Sequence, residues 1–96
     1  MKMVMIVYNE ALDNELMEIL ASAGQKNYTK QSGVFGRGTT SGIHLGTDIW
    51  PGLNNILYLA TEDEAAKKII AAVRQLRKNI GVEGAKAFLL PIEDLT

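Results

Sequence analysis

The chain of 96 residues has no cysteine, which excludes a disulfide framework, a thiolate metal site and a cysteine nucleophile. It has only two prolines, one histidine and one tryptophan. One copy of the chain therefore lacks the histidines for a metal site. An excess of one charge sign is missing too. Ten Lys and Arg face eleven Asp and Glu, a formal charge of −1, which gives no bulk electrostatic basis for binding nucleic acid or an anionic membrane. The apolar run at residues 3–8 is too short for a signal h-region or a membrane span, and no small-residue cleavage site follows it. The expectation is a cytoplasmic protein that is not embedded in a membrane. The rest, 47% hydrophobic and 22% charged, is ordinary for one globular domain over residues 1–96.

Residues 3–8 (MVMIVY) have strand length and β-forming composition. A helix is predicted over about 11–23, where Leu12, Leu16, Ile19, Leu20 and Ala23 recur on one stripe. Asp13, Glu15 and Glu18 fall off that stripe, and Gly24 is a natural residue to end the helix. Residues 27–37 read as a second strand and residues 53–60 (LNNILYLA) as a third. Thr61, Glu62, Asp63 and Glu64 have the form of a capping box, in which the Thr61 hydroxyl accepts from the Glu64 amide and the Glu64 carboxylate reaches back. The next helix carries Ala66, Ile69, Ile70, Val73, Leu76 and Ile80 on one face, and Gly81 stops it. Residues 86–90 (KAFLL) read as a fourth strand, which Pro91 ends or marks as an edge.

The order is strand-helix-strand twice over. Two such units most often close into a ferredoxin-like α+β sandwich, with a four-stranded antiparallel sheet and both helices on one face. Strands covered on one face only should alternate apolar and polar residues. The first, third and fourth strands are apolar in succession, so a monomer would present a broad apolar face to water. Further copies of the same chain are the simplest cover.

Six of the nine glycines, the tryptophan and the histidine all fall within residues 33–52. The part from 37 to 52 is a glycine-rich loop between strands two and three. Its base offers the amides of Gly33, Gly36 and Gly38, the guanidinium of Arg37 and the hydroxyls of Thr39 and Thr40. Successive amides can form an anion nest, and Arg37 suits bidentate contact with phosphate or carboxylate. A plain flexible connector fits the same composition. His44 and Asp48 lie four apart and need two more copies, or a neighbour's carboxylate, to make a metal site. Trp50 reads as a packing anchor where the chain re-enters the sheet.

An enzyme finds little support, since no Ser–His–acid set can be placed and the carboxylates mostly sit on helix faces. RNA recognition on this fold needs exposed aromatics on the central strands and a basic face, and the third strand offers one tyrosine.

Four stretches carry a resemblance. They are the opening residues 1–9 (MKMVMIVYN), Phe35-Gly36-Arg37 at the loop base, residues 67–73 (KKIIAAV), and residues 86–94 (KAFLLPIED). In these, and in element order over nearly the whole chain, the sequence resembles PII-type signalling proteins and the wider PII-like group. The resemblance implies a homotrimer with its sheets facing inward, a small-molecule effector bound at clefts between subunits, and a target protein met by the loop. It implies a regulator, of the kind known in nitrogen regulation, and no enzymatic activity. By motif it assigns Gly36, Arg37, Gly38, Thr39 and Lys86 to binding the ligand, a nucleotide or another small anion.

Other stretches depart from the family. The loop is short and lacks an exposed tyrosine for covalent modification, and residues 81–85 read GVEGA in place of a glycine-aspartate-glycine run. Residues 44–52 (HLGTDIWPG) lie outside the ordinary nitrogen-regulatory pattern, which suggests a divergent branch with its own ligand. The runner-up is a metal-responsive trimer resembling the copper-tolerance proteins, using His44.

Overall fold

A computed structural model of the chain describes residues 1–37 and 52–96. The elements are β1 (Lys2–Asn9), a 3-10 turn (Glu10–Leu12), α1 (Asp13–Ser22), β2 (Thr29–Val34), β3 (Asn54–Thr61), α2 (Asp63–Ile80) and β4 (Ala85–Pro91). They form one sheet in the order β2-β3-β1-β4, with every neighbouring pair antiparallel. This is the ferredoxin-like α+β sandwich expected from the element order. The most continuously apolar strand, β1, pairs along both of its sides, and β2 and β4 are the edges. Pro91 closes the edge strand β4, where a missing amide is tolerated.

Strand geometry sends alternate residues to opposite faces. Val4, Ile6 and Tyr8 of β1, with Leu57 and Leu59 of β3, point to the helices and are at most 1% exposed. Leu16 and Leu20 of α1 and Ala66, Ile69 and Val73 of α2 close over them in a single core. The helical stripes read from the sequence are the buried ones.

The helix ends combine agreement and correction. The Gly24 amide donates to the Ala21 carbonyl at 3.0 Å and the Gln25 amide to the Leu20 carbonyl at 2.9 Å, with Gly24 at φ +73°. This is a Schellman end, and its left-handed residue explains the glycine. The first helix begins differently from expectation. Asn9 caps a 3-10 turn, its Oδ1 accepting from the Ala11 amide at 2.9 Å, before α1 starts at Asp13.

The expected capping box does not form. Thr61 is still in the ladder, opposite Lys2, so its extended backbone belongs to β3 and the N-cap moves on to Glu62. No side chain caps α2 there, and its first turn is helped only by the acids Asp63 and Glu64.

Among the described residues no helix covers the other sheet face. Met3, Met5 and Val7 of β1 lie on it, flanked in register by Ile56, Tyr58 and Ala60 of β3 and by Phe88 and Leu90 of β4. Phe88 and Leu90 are 38% and 42% exposed in the single chain.

Candidate ligand-binding site

The base of the glycine-rich segment is built where β2 breaks register. Pairing with β3 runs regularly from Thr29 to Gln31, shifts, and resumes with Val34 opposite Asn54. Gly33 sits in the irregularity at φ +69°, a conformation that a side chain would strain. Its amide donates to Oδ1 of the buried Asn55 at 3.4 Å, a long hydrogen bond. Beyond it Phe35 is 91% exposed, and Gly36 and Arg37 are exposed as well. A Cβ at Gly36 would lie 2.7 Å from Nδ2 of Asn54, so that side chain lies directly against the turn.

The returning chain is held by the end of β1. The Glu10 amide donates to the Leu53 carbonyl at 3.0 Å, and the Glu10 carboxylate lies beside Gly52. The adjacent Asn9 amide donates to the Gly84 carbonyl at 2.8 Å, which ties down the turn before β4. Arg77 supports that turn from α2, its Nη2 donating to the Val82 carbonyl at 3.2 Å. Lys86 follows on β4 opposite Val7, hence on the helix-free face, with Nζ 5.4 Å from the centre of the Phe88 ring.

A polar cluster lies beneath the loop base, between the sheet and the start of α1. The Tyr8 hydroxyl donates to Asp13 Oδ1 at 2.5 Å, and Lys30 Nζ lies 2.9 Å from Oδ1 and 3.1 Å from Oδ2. Burial pushes the Tyr8 hydroxyl well above its usual range, and the bond to Asp13 adds to the shift. For Asp13, burial pushes upward, but the hydrogen bonds from Tyr8 and Lys30 outweigh it and hold the carboxyl below the ordinary value.

Of the residues picked from sequence, Gly36 and Arg37 stand at the loop base, and Lys86 stands at the same end of the sheet on the far edge strand. With β3 and β1 between them, β2 and β4 run roughly 14 Å apart. One chain therefore does not bring Arg37 and Lys86 together. Gly38, Thr39, His44, Asp48 and Trp50 lie outside the described residues. Among the described residues no group of three or more His, Cys, Asp or Glu could hold a metal ion. Sequence reasoning missed Tyr8, Lys30, Asn54 and Asn55, and read Asp13 only as lying off the apolar stripe. The available signal was the pair of asparagines interrupting the apolar third strand.

No curated protein sequence matches the chain. Solved structures do. A protein of Thermus thermophilus described as PII-like and signalling is 24% identical, covering 92% of this chain and 81% of its own, with a TM-score of 0.66. CPII, a nitrogen regulatory PII-like protein from Thiomonas intermedia bound to ADP, AMP and bicarbonate, is 18% identical over 95% of this chain and 88% of its own, with a TM-score of 0.72. Its apo form is 16% identical over 92% and 84%, with a TM-score of 0.68. At such identities these likenesses establish the fold. The sequence profile of the nitrogen regulatory protein P-II family matches residues 1–96, the whole chain, and the protein therefore belongs to that family.

Proposed function

We propose that the chain works as a PII-like homotrimeric regulator in the cytoplasm. It binds an adenine nucleotide or a related small anion at clefts between subunits and presents its loop to a target protein. The observation that carries this reading is the placement of two cationic side chains. Arg37 and Lys86 lie at one end of the sheet but on opposite edges, so a neighbouring copy can bring its Lys86 to the first copy's Arg37. The apolar helix-free face supplies the reason for copies to associate. Gly36, Gly38 and Thr39 complete the proposed cradle with backbone amides and a hydroxyl. CPII, of the same fold, binds ADP, AMP and bicarbonate, which makes ADP and AMP the first ligands to try. The role is that of a sensor rather than a catalyst.

Calorimetric titration of ADP, AMP and bicarbonate into the native protein tests the reading. Arg37→Ala and Lys86→Ala should each weaken nucleotide binding about ten- to a hundredfold while the oligomer persists. Failure of all three ligands to bind would overturn the proposal. Binding that neither substitution affects would show that the cleft lies elsewhere.

A further inference from the structure

Two consecutive asparagines stand in β3, a strand otherwise apolar through its middle, and consecutive strand residues face opposite ways. Asn55 faces the helices and is 7% exposed. Its side chain lies against the Tyr8 hydroxyl and the Asp13 carboxylate and favours the charged form of each. An ionised carboxylate only accepts, and the Tyr8 proton is already given to Asp13, so the Asn55 amide nitrogen must turn toward these two groups. That leaves its oxygen for the Gly33 amide, the donor exposed where the β2 ladder breaks. Asn54 faces the other way, with its amide nitrogen against Gly36.

We propose that Asn54 and Asn55 are positioning residues that clasp the 33–37 turn from opposite faces of the sheet and set the direction in which Arg37 leaves it. A bulge re-aims the residues after it, and a bulge whose amide has no ladder partner needs one from elsewhere. Asn55 supplies that partner, and the part-buried Tyr8–Asp13–Lys30 cluster keeps its amide the right way round. Asn54 limits the approach of Gly36 from the open side. This rests on Arg37 being a ligand group, as read above.

ADP titration and the backbone amide signals of residues 33–37 are measured in Asn55→Leu, Asn54→Ala, Gly36→Ala and the Gly36→Ala/Asn54→Ala double variant. Asn55→Leu keeps the bulk and removes the acceptor. It should lower ADP affinity about fivefold and shift the Gly33 signal. Gly36→Ala pushes only the end of the Asn54 side chain, so it should leave thermal stability nearly unchanged yet weaken ADP by a similar factor. Once Asn54 is alanine, Gly36→Ala should add no further loss, a coupling that generalised destabilisation does not produce. If the losses multiply independently, or if the variants bind ADP as the native protein does while Arg37→Ala does not, the clasp is overturned. Should the native protein take up no ADP, the functional reading fails separately. The clasp then stands or falls on whether Gly36→Ala moves the Asn54 side-chain amide signal and those of residues 33–37. If Asn55→Leu does not fold, the coupling between Gly36 and Asn54 carries the test alone.

Discussion

Tyr8 is 1% exposed and nevertheless carries a hydroxyl, which costs free energy in a core unless it is paired. Asp13 accepts its proton and is in turn held by Lys30, so an edge strand, a central strand and a helix start share one carboxylate. Tyr8→Phe keeps the ring and leaves Asp13 a donor short. A loss of about 1–2 kcal/mol in urea unfolding is expected. Asp13 should contribute to the acid limb of stability. Its folded-state carboxyl sits below the ordinary value of 3.8, so the unfolded chain takes up that proton first as pH falls. The stabilisation from Asp13 is therefore full above about pH 5 and is lost as pH drops through the folded value. Urea midpoints should fall more steeply between about pH 5 and pH 2.5 in the native protein than in Asp13→Asn. Equal slopes would mean that other carboxylates control acid unfolding.

The elements differ in how their ends are fixed, and that difference sets the next two predictions. Gly24 closes α1 at φ +73°, and a Cβ there would meet nothing within 4 Å. Gly24→Ala should thus cost only the conformational penalty, about 1–2 kcal/mol, and Gly24→Asn less. At the start of α2, Glu62 has the extended backbone of an N-cap but makes no side-chain cap. Glu62→Asp should stabilise the protein by about 1 kcal/mol, read as a higher urea midpoint, because the shorter carboxylate can reach the free amides of the first turn. Helix interiors were legible in the sequence because periodicity records burial: Leu12, Leu16 and Leu20 mark the covered face wherever the helix starts. The junctions were not. Thr61 has the chemistry of a cap, and whether it caps or pairs depends on how far the ladder with Lys2 extends, a long-range contact that no local pattern contains. Asp13 escaped notice for the same reason, since its partners come from β1 and β2.

At the scale of the whole molecule, the loop base was legible from its motif, but the separation of Arg37 from Lys86 was not, because it follows from strand order. The same order explains the continuous apolar strands. One side of β1, β3 and β4 builds the core under the helices, and the other forms a face of methionine, valine, isoleucine, leucine and aromatic residues that no helix among the described residues covers. Met5 stands near the middle of that face, opposite Tyr58 on one side and Phe88 on the other, while its neighbour Val4 is fully buried against the helices. The two positions therefore separate assembly from folding. Met5→Lys places a charge where copies would meet and should yield a folded species near the 10.5 kDa of one chain. Val4→Lys places it in the core and should abolish cooperative unfolding altogether. The native protein should scatter light as three chains at micromolar concentration, with an interface well beyond the roughly 800 Å² of a lattice contact. A native protein that scatters as one chain would remove the basis for a shared cleft, and Arg37 and Lys86 would then have to act apart.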